Sequence, residues 1–488
     1  MVHITGMHHK LLPVLVVLVV CLFDSGTCWI PFLNKVLPKR PTLDMAASDS
    51  SWEALSASLL ATPTGSSLER EFALRKLGQG SAHTDNELRL FDLPAGEKPR
   101  VVFYKDRASW CPYCQKVWIL LEEKRIPHRI EKINMRSYGD KPAEFLRMCP
   151  NGLLPAIRID GGAVMTDSLP IMLALDREFT GPLHRPMFPR DPTEAARADR
   201  LMKLERGLFS DWCNLVFRAG PGNGAARGRL ENTLQAVDKE LSVTPGPWFL
   251  ADLSIVDLTY ITHVERMCAS CLYWSGLDIR AGDKWPHLQR WLDAFENMPS
   301  YMATKSDYYT HVQDIPPQYG PGCSLPGSEA TASHIMGEDG SWELPLLPLS
   351  ATDLEPIKAY PGEEAARHEA AYKLTINHSN IVKFACRGPG EPGRKQFQAP
   401  LADPYATPNL DYAPDVDAWL RAVSLALLLG SPDAAVAAGV PAKASSGRRG
   451  GICSALAYLR DRVGVPRDMS YPAARQLRAH LNWAIANC

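Results

Sequence analysis

The sequence predicts an α+β domain in its first half, an all-α domain after it, and an extra helical module at the C-terminal end. Three observations carry this. Residues 101–179 run strand, helix, strand, and then two strands and a helix; residues 191–312 show only helix-period patterns. A Pro-, Gly- and Ser-rich stretch, 313–361, separates these from further amphipathic segments. At 488 residues the chain is too long for one ordinary core. Its 45% hydrophobic and 22% charged residues describe ordinary globular protein, and a net charge of −1 argues against broad attraction to nucleic acid or anionic lipid.

The first 95 residues read as leader, transit-like segment and linker. "LLPVLVVLVVCLF", residues 11–23, is an unbroken apolar run, shorter than the ~20 residues a membrane-spanning helix needs and suited to a signal-peptide core. Residues 24–66 are rich in Ser, Ala, Thr, Leu and Pro. This order resembles the two-part leaders of plastid-targeted proteins, so plastid delivery is expected, with an endomembrane or secretory compartment as the alternative. Further on, Ser66 precedes Glu69 by three residues, a capping-box signature for a short helix.

Residues 96–185 form the α+β unit. "VVFYKD", 101–106, is β-branched and aromatic and reads as a strand. "SWCPYCQK" follows, and then "QKVWILLEEK", with Val117, Leu120 and Leu121 at helical spacing. Residues 128–135 read as a second strand, and "LLPAIRIDGGAVMT" as a hairpin turning at Gly161-Gly162. "DSLPIMLALDREF", 167–179, closes the unit as a helix. A strand, a CxxC at a helix start, a crossover and a hairpin with a helix make a thioredoxin-like unit.

Residues 190–312 turn helical. Ser254 as N-cap, Asp257 three residues on, and the flanking pair Leu253 and Leu258 specify one helix start; Trp285-Pro286 opens another. The 313–361 stretch reads as a linker, and 362–488 as a helical extension of unknown role. There Val416, Trp419, Leu420, Val423 and Leu427 share one face of a helix that stops at Gly430, and residues 471–485 form a last amphipathic helix. This extension is expected to fold apart, so a fragment covering residues 95–315 is expected to stand alone.

Twelve cysteines in a chain of this length are not disulfide-scaffold density. Cys149, Cys213, Cys386 and Cys453 stand alone and read as small hydrophobes. A zinc reading of Cys111 and Cys114 needs two more ligands; the other CxxC, Cys268/Cys271 with His263 nearby, lies in a helical pattern and reads as packing, so no metal is expected. The redox reading has a physical basis. A sulfur capping the helix that Pro112 begins meets free N–H groups and the positive dipole end, a setting that lowers thiol pKa from about 8.5 to roughly 3.5–7.5. Cys111 is then the nucleophile, and Cys114, one turn in, a possible resolving thiol. Asp167-Ser168 at a helix start reads either as a plain cap or as an anion and amine pocket.

"CPYC", "NGLLPAI", "TDS" and "WFLADLSIVDLTY" together resemble the cytosolic-type glutathione transferases over residues 98–312. The cysteine-type branches are nearest: omega and lambda classes, dehydroascorbate reductases and the chloride intracellular channel proteins. "CPYCQKVWILLEEKRIPH" and "DKPAEFL" are particularly like the dehydroascorbate reductases. The resemblance implies a cis bond at Leu154-Pro155 that frees the Leu154 backbone for a peptide ligand. It also implies glutathione contacts from Lys141, Asp167 and Ser168. Asp167 replaces the family's glutamate and Leu153 its frequent lysine or arginine, and both departures bear on glutathione affinity. The expected function is a glutathione-dependent thiol transferase or reductase, monomeric or homodimeric, with glutathione as co-substrate and a small electrophilic, oxidised or disulfide substrate. The alternatives are a non-enzymatic carrier of glutathione adducts or metabolites, a conjugating transferase, and a membrane-inserting protein like the channel relatives.

Overall fold

A five-stranded mixed sheet of strand order β1-β3-β2-β4-β5 organises the α/β part of the computed structural model. The structure describes residues 50–218, 223–358, 360–397, 399–437 and 445–488. The expected leader, with Cys21 and Cys28, lies outside them. Residues 45–488 form one compact unit.

Two helices, α1 (Trp52–Leu60) and α2 (Pro63–Lys76), precede the sheet. Thr62, whose hydroxyl accepts from the Gly65 N–H, and Pro63 at the first helical position start α2 one turn before the expected Ser66 cap. Glu69 instead accepts from the Tyr372 hydroxyl at 2.7 Å. The edge strand β1 (Leu88–Arg89) runs antiparallel to β3, so residues 52–89, expected as part of a leader and linker, are two packed helices and a strand of the sheet.

Strand β2 (Val101–Asp106) leads through a short loop into α3 (Pro112–Glu123) and then β3 (His128–Ile133), parallel to β2. The short helix α4 (Ala143–Met148) connects to the hairpin β4 (Ala156–Ile159) and β5 (Met165–Thr166), and α5 (Ser168–Glu178) closes the unit. Asp160 and Gly161 both take positive φ at the hairpin, 51° and 69°, a pair of left-handed residues that reverses a twisted ribbon. The thioredoxin-like expectation holds, with β1 as an added edge.

The helical part comprises α6 (Pro192–Val216), α7 (Asn223–Leu241), α8 (Ile255–Ser275), α9 (Pro286–Glu296), α10 (Pro299–Met302) and α11 (Tyr308–Tyr319). Asp257 accepts from the Ser254 N–H and hydroxyl, from the Phe249 N–H and from Trp291 Nε1, so the start of α8 anchors three segments. Almost all of α8 is buried, and the α/β and helical parts share one continuous core.

The stretch 313–361 differs from the expected linker. Helix α11 runs through Pro316 and Pro317 to Tyr319, because Ile315 is buried and Tyr319 packs among aromatic rings. After it, α12 (Glu329–Met336) packs on α8, and the buried Trp342 meets the Tyr309 ring edge-on at 4.9 Å. The extension contains α13 (Glu363–Thr375), α14 (His378–Ala385), α15 (Ala413–Leu429), α16 (Pro432–Ala437), α17 (Ser446–Arg460) and α18 (Tyr471–Asn487). Its core includes Trp419, Leu420, Leu477 and Leu481, and also Trp52, Leu55 and Leu59 from α1. Thus the extension's core is completed by residues from the other end of the chain, and α11 is joined to the extension by buried polar contacts. Among the described residues, no helix is long and apolar enough to cross a membrane.

Candidate functional site

Cys111 lies at the join between β2 and α3, as the residue before Pro112, with no side-chain cap bond of its own. The preceding loop is tightly held. Lys105, fully buried at the end of β2, donates to the Ser109 hydroxyl (2.7 Å) and the Asp106 carbonyl (3.1 Å), while Ser109 takes a left-handed φ of 58°. Asp106 Oδ2 accepts from the N–H groups of Trp110 (2.7 Å) and Cys111 (3.1 Å). The indole Nε1 of Trp110 donates to His311 Nδ1 at 3.0 Å, so Nε2 of that ring carries the proton it donates to Glu265 at 2.9 Å. Arg266 donates to the Trp110 carbonyl and to Gln115 Oε1, and Gln115 in turn donates to Glu265. The backbone around Cys111 is therefore positioned by α8 and α11 as well as by its own domain.

Donor atoms of Asp106, Cys111 and Cys114 lie within 4.8 Å of one another. These three could hold a metal ion, although the carboxylate is already engaged by two backbone donors. Cys114 is buried within hydrogen-bonding reach of Cys111. Burial first, then the bond and charge of Cys111 and the charge of Asp106, push its thiol well above the ordinary range, so Cys114 holds its proton. The two cysteines are thus placed together and are chemically unequal.

Lys141 approaches the pair from the loop before α4 and donates to the Asn134 carbonyl. Burial lowers its ammonium below the usual value against the pull of Cys114, Cys111 and Asp106. Gly152, against the Lys141 chain, takes a left-handed φ of 63° that favours glycine; a Cβ there would make only ordinary contact with Lys141, at 3.5 Å. Leu154-Pro155 is cis, and the N–H and C=O of Leu154 have no hydrogen-bond partner among the described residues. Asp167 caps α5 at a left-handed φ of 72°, its carboxylate accepting from the Leu169 N–H at 3.4 Å, and Ser168 beside it is buried. An aspartate held at such an angle is a strained residue of the kind that concentrates at binding sites. Leu153 is exposed at 61% and adds no charge to the cleft.

Several residues here carried no sequence signal. Lys116, one turn beyond Tyr113 on α3, is buried; burial lowers its ammonium to about 8 against the pull of Glu205, Asp167 and Cys111. An aromatic wall faces the cysteine. Tyr319 stacks on Phe217 at 5.8 Å, meets Trp212 and Trp110 edge-on and packs tilted against Phe209, and burial pushes the hydroxyls of Tyr113 and Tyr319 upward. Behind Tyr113, His263 Nδ1 lies 2.6 Å from Glu205; burial holds that imidazole down to about 4. His263 belongs to this wall, while Cys268 and Cys271 are packing residues: burial raises the Cys268 thiol to about 12 and the Cys271 thiol higher still, above any reactive range.

A thioredoxin-like domain presenting a helix-start cysteine to a cleft walled by an all-α domain is the plan of one class of thiol-handling enzymes. Residues 110–178 match the glutathione S-transferase N-terminal domain and residues 194–294 its C-terminal domain. Glutathione S-transferase L3 of Arabidopsis thaliana is 28% identical over 40% of this chain and 79% of its own. Protein IN2-1 homolog A of Oryza sativa subsp. japonica is 27% identical over 44% and 85%. Pyrimidodiazepine synthase of Drosophila melanogaster is 30% identical over 40% of this chain and 76% of its own. The chain belongs to the glutathione transferase family, on its cysteine-bearing side.

Proposed function

We propose that the protein is a glutathione-dependent thiol transferase or reductase whose nucleophile is Cys111. The observation that supports this reading is Cys111 at the start of α3, its N–H held by Asp106 and the protonated Cys114 within hydrogen-bonding reach. The Cys111 sulfur attacks one sulfur of a disulfide; a Cys111–S bond forms, the S–S bond breaks, and the departing thiolate takes up a proton. When that mixed disulfide carries glutathione, a second glutathione thiolate attacks it, releasing glutathione disulfide and the free Cys111.

The peptide backbone of glutathione pairs with Leu154 next to Pro155, its carboxylates meet Lys141 and the Ser168 end of α5, and its ammonium meets Asp167. Because Cys114 holds its proton, release falls to glutathione rather than to Cys114. The aromatic wall of Tyr113, Phe209 and Tyr319 favours a flat, apolar co-substrate. The same cleft would serve a carrier of glutathione adducts, or a conjugating transferase, and the cysteine separates them. After exposure to glutathione disulfide, mass spectrometry of the protein should find one glutathione on Cys111. An adduct confined to another cysteine, or full turnover by Cys111→Ser, would show the reading to be wrong.

A further inference from the structure

A cavity of about 970 Å³ lies between the α/β part and the extension, bordered on one side by Arg107 and Ala108 of the loop that leads to Cys111. Its volume is in the range of sites for drug-sized or long-chain ligands, about 300–1,000 Å³. None of Cys111, Cys114, Lys141, Leu154, Pro155, Asp167 and Ser168 lines it. One wall is apolar, built from Phe72 of α2, Leu374 of α13, Ile381 and Phe384 of α14, and Leu459 of α17. Ile376, also in the wall, is a large apolar residue left 43% exposed.

Charge in the cavity is unbalanced. Six cations line it against three carboxylates, Asp85, Asp403 and Asp468. Asp85 pairs with Lys373 and Asp468 with Arg467, and Asp403 accepts from the Gly393 N–H. That leaves Lys76, Arg107, Arg387 and Arg462 with no ion-pair partner among the described residues. Their contacts are with rings and carbonyls: Lys76 over Phe72, Arg387 over Phe384, Arg462 over Tyr458 and Arg107 toward the Lys132 carbonyl. Arg462 Nε is buried without a hydrogen-bond partner. Four like charges around one apolar cavity repel each other, and a single anion would relieve that repulsion while its body covers the apolar wall.

We propose that this cavity binds an amphipathic organic acid, a carboxylate on a long apolar body, independently of glutathione. Lys76 and Arg107 meet the carboxylate at the mouth, and Phe72, Ile381 and Phe384 hold the apolar body.

Calorimetry with the full-length protein tests this using dodecanoate below its micellar concentration, with dodecanol as the uncharged probe and dodecyltrimethylammonium as the cation. Dodecanoate should bind at one site per chain, at least tenfold more tightly than either control. Saturating glutathione should leave its affinity unchanged. The double variant Lys76→Gln/Arg107→Gln, at exposed positions that leave the fold intact, should weaken it at least tenfold, with an unchanged melting temperature as the check on folding. Equal affinity for the three probes, displacement by glutathione, or unaltered binding by a folded double variant would each overturn the assignment. Failure here leaves the Cys111 reading standing, because that reading is tested separately by the glutathione adduct on Cys111.

Discussion

Arg478 on α18 donates to Asp307, the cap of α11, at 2.6 Å, with both side chains at most 2% exposed. A buried pair of this kind leaves an uncompensated charge when one partner is lost, at a cost of ~3–5 kcal/mol. Arg478→Ala should lower stability by that amount in urea unfolding. Nearby, Val465 donates from its N–H to the Thr310 hydroxyl at 2.9 Å, and Tyr309 donates to the Asp461 carbonyl at 2.9 Å. The 95–315 fragment expected to stand alone lacks all of these partners and ends inside α11. It should be insoluble on expression, and recovery of soluble, active fragment would contradict the packing described for α11.

Cys111→Ser should abolish glutathione-dependent reduction, and Cys114→Ser should keep most of it, because Cys114 retains its proton while glutathione completes the cycle. Turnover of a small disulfide substrate by each variant is the check. Loss of activity in Cys114→Ser with a normal fold would make it the resolving thiol after all.

Asp167→Ala and Ser168→Ala should each weaken glutathione binding, by roughly 1–3 kcal/mol for a lost charge-assisted contact, while alkylation of Cys111 by a small reagent continues. Titration calorimetry measures the first and a labelling rate the second. Normal binding in both variants would reduce the pair to a helix cap.

Asp106→Ala should loosen the loop that presents Cys111, since two backbone N–H groups lose their acceptor. The expected cost is about 2 kcal/mol or more of stability, with a fall in turnover larger than the fall in the rate of simple thiol labelling. Equal losses in both rates would mean that the carboxylate only supports the fold.

Acid should destabilise the protein from about pH 6.5 downward. Burial holds His263 at about 4 and lowers His311 as well, so the folded rings resist a proton that the unfolded ones accept near 6.5. Burial works to raise Glu205 and Glu265, but their bonds to His263 and His311 win and lower both carboxyls, Glu265 to about 2. For each group the unfolded chain binds more protons as the pH falls, so stability is full above neutrality and is lost toward acid. The slope is about 1.4 kcal/mol per pH unit for each proton taken up. Urea midpoints between pH 7.5 and 4.5 should fall steadily, and His263→Asn should flatten the curve.

The parts legible in the sequence were those whose signals are local. CPYC states its own helix start, Ser254 and Asp257 stand three apart, and Leu154-Pro155 and Asp167-Ser168 come in contiguous pairs. Lys116 and the Tyr319 wall were not legible, because each acquires its role from a neighbour more than one helix away; Asp106 acts locally, on the N–H groups of Trp110 and Cys111, but nothing in the strand pattern of VVFYKD marks it. Lys116 reads as an ordinary surface lysine on α3 until Glu205 and Asp167 close over it. Pro316 and Pro317 weigh locally against helix, and the burial of Ile315 and Tyr319 outweighs them. Thr62 displaced Ser66 for a local reason that was present and missed: a proline follows Thr62 at the first helical position.

Trp52 on α1 donates to Asp417 on α15 at 2.7 Å across a sequence separation of 365. During synthesis, the two partners emerge from the ribosome roughly 20–70 s apart at about 5–20 residues per second. The transferase part is synthesised within that interval, while the apolar side of α1 (Trp52, Leu55 and Leu59) still has no counterpart to cover it. A nascent chain stalled before residue 413 therefore carries an uncovered apolar α1 and an α11 whose partners Asp461, Val465 and Arg478 are not yet made, which makes α1 the first place a chaperone would hold the growing protein.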